Sequence, residues 1–210
     1  MKEEKVERRI IQSEYQDLKI NCTLLENPDS RGLCVLFPGK GYTVDKPLLY
    51  YATRLAMQKG YNLLILSYGE FSLNERTRHA MGNLVSGVVD EVLTGEDRSG
   101  DLVFLGKSVG ALFASDAAQR QNQPVRCVYL TPIDQMVDTM ALQIGIINFM
   151  AFTGSEDHLL DHEKALETLG EAASRLKVYP GADHSLNAGT ISESVRILSD
   201  VLEEIGRFIE

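Results

Sequence analysis

Hydrophobic and polar positions change period several times along the chain, and each change marks an element. From Asp17 to Leu25 they alternate, with Leu18, Ile20, Cys22 and Leu24 on one face, and a looser alternation begins at Val6. Two such runs predict an N-terminal antiparallel hairpin. After a turn cluster from Asn27 to Gly32, Leu33 to Phe37 is apolar without interruption, as in a strand covered on both faces. A tight loop, Pro38-Gly39-Lys40-Gly41-Tyr42, follows. Asp45, with Pro47 close behind, predicts a helix start, and Leu48, Leu49, Ala52, Leu55 and Ala56 give its stripe up to Gly60. Tyr61 to Tyr68 is the next strand. Asn74 is placed to cap a long helix carrying Met81, Leu84, Val85, Val88, Val89 and Val92. Leu102 to Leu105 is again a buried strand, and Val109, Leu112, Phe113 and Ala117 then show helical spacing. Arg126 to Leu130, Asn148 to Thr153 and Arg175 to Tyr179 read as three more strands. A last helix carries Val195, Leu198, Val201, Leu202, Ile205 and Phe208. Strands alternating with helices after a hairpin predict an α/β fold, a mostly parallel central sheet with helices on both faces.

Composition narrows the class. At 210 residues and 44% hydrophobic content, one domain over 1–210 is the simplest organisation. A formal charge of -9 argues against nucleic-acid binding, which relies on concentrated Lys and Arg. The first residues are charged, and no stretch approaches the ~20 apolar residues that span a bilayer, so a cytoplasmic protein with no membrane partner is expected. Cys22, Cys34 and Cys127 sit in apolar runs and form no Cys-x-x-Cys pair, so they read as small buried hydrophobes.

In a parallel sheet, ligands sit beyond the carboxyl ends of the strands, which selects the loops after Phe37, Tyr68, Leu105, Leu130, Thr153 and Tyr179. After Leu105 stands Gly106-Lys107-Ser108-Val109-Gly110, a Gly-x-Ser-x-Gly turn between strand and helix that lifts Ser108 to a helix N-terminus. The bland alternative is an ordinary strand-to-helix turn. A phosphate loop is excluded, because that motif needs glycine where Asp101 stands. A serine nucleophile needs a base. His79 falls inside a helical segment, whereas His184 lies in the turn after the last strand. The carboxylate that orients the base is expected from Asp157, after the preceding strand, with Asp134 as second candidate. Backbone N–H donors for an oxyanion are expected from Val109 and from Lys40 or Gly41; a plain turn would also account for Gly39 and Gly41. His158 and His162, with Asp157, Asp161 and Glu163 nearby, could instead hold a metal, or form a solvated acidic first turn.

Four signals in order, Pro38-Gly39-Lys40-Gly41, Gly106-Lys107-Ser108-Val109-Gly110, Gly154-Ser155-Glu156-Asp157 and Gly181-Ala182-Asp183-His184, resemble the α/β-hydrolases. Within them the chain is similar to the small capless serine hydrolases, such as dienelactone hydrolases and minimal esterases. The resemblance runs from about the second strand to the end. It implies the α/β-hydrolase fold, a Ser108-Asp157-His184 triad and an acyl-enzyme mechanism on a small ester or thioester, with no metal or other cofactor. The chain departs from the pattern at Pro38, where many members have His, at Lys107 beside the serine, and at Ser108, where dienelactone hydrolases proper have Cys. A non-catalytic small-molecule binding protein on the same fold is the rival of another class. Thr131 to Ile147 has room for little beyond one short helix. Its Ile133, Met136, Val137, Met140, Leu142 and Ile144 predict an apolar wall over an open cleft, with Gly41, Tyr42, Phe71 and Met136 touching substrate. Monomer and homodimer both remain open.

Overall fold

The computed structural model describes residues 7–15, 17–27, 29–68, 72, 74–94 and 100–210. The hairpin pairs β1 (Glu7–Tyr15) with β2 (Leu18–Glu26), Glu7 opposite Glu26 and Tyr15 opposite Leu18. The second strand then lies antiparallel to β4 (Tyr61–Tyr68), with Ile20 opposite Tyr68. All further pairings are parallel: β3 (Gly32–Phe37), β5 (Asp101–Lys107), β6 (Val125–Leu130), β7 (Asn148–Gly154) and β8 (Leu176–Tyr179) complete an eight-stranded sheet of order β1-β2-β4-β3-β5-β6-β7-β8.

Why the central strands read as unbroken apolar runs is visible in their alternation. Leu33, Val35, Phe37, Leu102 and Phe104 enter one core, while Cys34, Leu36, Val103 and Leu105 enter the other. Successive side chains point to opposite faces, and here both faces are covered. The first core lies under α2 (Glu75–Thr94), α3 (Val109–Ala118), α4 (Val137–Leu142) and α5 (His162–Leu169). The second lies under α1 (Pro47–Gln58) and α6 (Ile191–Phe208). The thiols of Cys22, Cys34 and Cys127 are free, buried and pushed up to about 12 by that burial, with Glu91 adding to the effect at Cys22. Among the described residues no helix is long and apolar enough to cross a membrane.

Helix ends follow local chemistry. Asn74 caps α2, its Oδ1 accepting the Thr77 N–H at 3.0 Å. Asp45 does not cap α1: extended Lys46 holds that position, Pro47 takes the first helical place, and the Asp45 carboxylate accepts the Thr43 hydroxyl instead. Proline has no N–H to offer there and its ring fixes a helical φ.

The connection from β6 to β7 corrects one expectation. It holds a 3-10 turn, Asp134–Met136, and α4, whose buried side chains serve the core. Met136, Val137 and Met140 are fully buried in the core that contains Ala165 and Leu169 of α5. Leu142 is 77% exposed and Ile144 is 39% exposed. A helix this short has one apolar stripe, and it is spent on the core.

Candidate active site

The turn after β5 is sharp because two glycines let backbones touch. A Cβ on Gly106 would stand 2.5 Å from Ala111 Cα, and one on Gly110 would stand 2.1 Å from the Phe37 carbonyl oxygen and 2.2 Å from that of Pro38. Any side chain at these places would push α3 off β5 or off the loop after β3. Between them Ser108 has φ 55° and ψ -123°, strained for a residue with a side chain, and is held by its N–H to Leu130 O at 2.9 Å. The residue is left half-buried at the N-terminus of α3.

His184 arrives on the turn after β8. The Asp183 carboxylate organises that turn, accepting the N–H groups of Ser185 at 2.7 Å and Asn187 at 2.9 Å. The imidazole Nδ1 lies 2.8 Å from Asp157 Oδ2 and Nε2 lies 2.9 Å from Ser108 Oγ. An ionised carboxylate only accepts, so the neutral ring carries its hydrogen on Nδ1, and Nε2 accepts from the serine hydroxyl. Burial by itself would raise the Asp157 carboxyl. Hydrogen bonds from the His184 ring and the Leu159 N–H, with the charges of His184 and Lys107, outweigh it and hold the carboxyl below its usual range. The two loops close on each other because Gly154 has no Cβ: one would stand 2.0 Å from Ala182 O. Asp134 lies elsewhere, exposed, with Oδ1 accepting the Asp161 N–H at 2.7 Å. Exposed His79 stands on α2.

The loop after β3 folds into a tight turn, with N–H to O bonds running both ways between Gly39 and Tyr42 and Gly41 at φ 72°. Lys40 and Gly41 are therefore the turn's exposed tip. Gly110 presses on the start of this loop, which puts the first turn of α3, with the Val109 N–H, against it. The same loop borders a cleft of about 1020 Å³ lined by Pro38, Gly39, Lys40, Val44, Ile65 and Tyr68, among others. Tyr42 is half-buried, its hydroxyl accepting the Leu48 N–H at 3.2 Å. Phe71 lies outside the described residues. Met136, expected to touch substrate, is fully buried in the core and offers no surface.

His158 and His162 do not share a helix, because Asp161 caps α5 and the helix begins only at His162. The four-residue helical spacing that would pair them as ligands is absent. Among the described residues no group of three or more His, Cys, Asp or Glu is arranged to hold a metal ion.

Two residues of the site were not assigned a role from sequence. Lys107, noticeable only as a departure from the family pattern, is 1% exposed and donates from Nζ to Thr131 Oγ1 and to His184 O, the latter at 2.8 Å. Thr131 is buried at φ 42°. A lysine closing an apolar strand was the available signal for the first; nothing in the sequence marks the second.

No family model and no curated protein sequence matches the chain. Solved structures do. An α/β serine hydrolase homologue from Coxiella burnetii superposes with a TM-score of 0.69 at 12% identity, over 93% of this chain and 96% of that one. Dienelactone hydrolase from Anabaena variabilis gives 0.67 at 14% identity, over 98% and 99%. The esterase PF2001 from Pyrococcus furiosus gives 0.63 at 15% identity, over 98% and 92%. Near-complete coverage of both partners, on the sheet order described above, identifies the architecture: the chain has the α/β-hydrolase fold.

Proposed function

We propose that the protein is a serine hydrolase acting on a small ester or thioester. One observation carries the reading: the hydrogen-bonded chain from Ser108 Oγ through His184 to Asp157, at 2.9 and 2.8 Å. Nε2 takes the hydroxyl proton as Oγ attacks the acyl carbon, and Asp157 holds the ring and stabilises the imidazolium. The oxyanion accepts the N–H groups of Val109 and Lys40. The imidazolium returns the proton to the departing alkoxide or thiolate, leaving an acyl-enzyme on Ser108. Water, deprotonated by His184, attacks that acyl carbon; the proton then passes back to Oγ and the acid is released. No electrons leave the substrate, so the scheme requires no redox cofactor. The names of the structural neighbours, an esterase and a serine hydrolase homologue, agree with it.

The test is labelling with a fluorophosphonate, followed by a screen of p-nitrophenyl esters and acyl thioesters. Ser108 labels stoichiometrically, and Ser108→Ala folds normally but loses about three orders of magnitude or more in rate. A labelled residue elsewhere, with Ser108 untouched, overturns the reading.

A further inference from the structure

The proposed reaction makes no use of Lys107, yet a lysine in this position is costly to keep. Its side chain is 1% exposed. Around Nζ are three groups from three loops: Thr131 Oγ1 after β6, His184 O after β8 at 2.8 Å, and the Tyr42 ring after β3, whose centroid is 4.8 Å away. All three are electron-rich and uncharged. An ammonium has three N–H groups to offer them.

The carbonyl that Lys107 grips belongs to His184 itself and is bonded to the Cα that carries the imidazole. Fixing it fixes where the ring starts, and the ring has one hydrogen-bonding neighbour on each side. Thr131 adds a second sign that the arrangement is built. A β-branched residue at φ 42° is a genuine outlier. It is locked by its N–H to Phe152 O at 2.7 Å, with its hydroxyl on Lys107.

We propose that Lys107 is a positioning residue: its ammonium ties the His184 loop to the end of β5, to Thr131 and to Tyr42, and the site is competent only while that ammonium is protonated. The proposal rests on the serine-hydrolase reading. A neutral amine has two N–H groups and a lone pair to which the Thr131 hydroxyl can turn and donate, but it loses the charge that strengthens the bond to His184 O and holds it over the Tyr42 ring, so the clamp slackens. The change falls in an accessible range. Burial pulls Lys107 down to about 8, and the charges of Asp157 and Asp183, facing it from the loops after β7 and β8, oppose this only in part. Tyr42, the titratable group facing it from the loop after β3, is pushed up by burial and stays a neutral ring. Thr131 brings no charge.

The experiment is the pH dependence of kcat and KM on p-nitrophenyl acetate, corrected for spontaneous hydrolysis, with fluorophosphonate labelling rates alongside. Wild-type kcat falls above about pH 8 with KM nearly constant. Lys107→Met loses about 100-fold in kcat, the scale of a misplaced catalytic group, changes KM by less than about threefold, and has no alkaline limb near pH 8. Thr131→Val lowers kcat, and Thr131→Ser, which keeps the hydroxyl, restores most of the loss; this pair and the wild-type profile serve if Lys107→Met fails to fold. Wild-type kcat in folded Lys107→Met, an unchanged alkaline limb in that variant, or a loss confined to KM overturns the proposal. These outcomes are separable from failure of the hydrolase reading, which shows as wild-type protein unlabelled at Ser108.

Discussion

Lys107 links the site to the stability of the whole fold, and the linkage has a size. Its ordinary value is 10.5 and its buried value about 8, a difference of about 2.5 units, or about 3 kcal/mol at 1.36 kcal/mol per unit. A base whose folded value is depressed gives up its proton before the unfolded chain does. Between those two values the unfolded chain binds more protons, so stability rises with pH; it is lost as pH falls toward 8. The wild-type curve alone will not display this, because Cys22, Cys34 and Cys127, raised to about 12, act in the opposite sense over an overlapping range. Comparison with Lys107→Met removes them. Acceptors left unpaired in the variant shift its stability by an amount independent of pH, and only the titration of Lys107 makes the difference slope. From about pH 7 to about pH 9.5 the wild type gains about 2 kcal/mol relative to Lys107→Met. Urea unfolding followed by circular dichroism at intervals across that range measures it. Two parallel curves would refute the argument, since a lysine carrying no burial penalty cannot be the charged centre of a closed clamp.

Two further outcomes are expected. Asp157→Asn lowers turnover by about three to four orders of magnitude in steady-state assays, because the amide can hold the wrong imidazole tautomer, whereas Asp134→Asn leaves turnover within a few-fold; reversed results would move the acid to the loop after β6. Catalytic efficiency on p-nitrophenyl esters, measured below their micelle concentrations, peaks at short acyl chains. With α4 committed to the core, methylenes beyond medium length stay in water and forgo up to ~0.8 kcal/mol each, and a steady rise through long chains would contradict this.

What could be read in advance follows from how each feature is encoded. The sheet was legible because burial on both faces writes itself as continuous apolar runs, and β3, β4, β5 and β6 each begin or end within two residues of the expected positions. The meeting of Ser108, Asp157 and His184 could be read from their addresses at strand ends, and the structure brings them within hydrogen-bond distance. The fate of Met136 was not, since an apolar residue on a short helix serves a core or a cleft with the same letter. Thr131 was illegible for another reason: its φ is imposed by neighbours distant in sequence, and threonine is not a residue that announces the left-handed region. Lys107 stood out as an oddity, but its three partners lie in loops after three different strands, and only the folded chain brings them to one point.

The separation of these loops along the chain bears on when the protein becomes active. Ser108 and His184 are 76 positions apart, and the second half of the pair is carried by the shortest described strand, the four residues of β8. That strand is fastened from outside, where Lys177 and Tyr179 bond to Asp200 of α6, and Lys177 also to Glu204. Contacts this distant in sequence are the slow ones to form, because the loop entropy comes due before the contact rewards it. On the serine-hydrolase reading, a half-folded chain can therefore hold Ser108 in place and remain inert, since His184 arrives only when the far edge of the sheet has docked. On that same serine-hydrolase reading, turnover reports completion of folding, and a nascent or misassembled copy carries a serine with nothing to activate it.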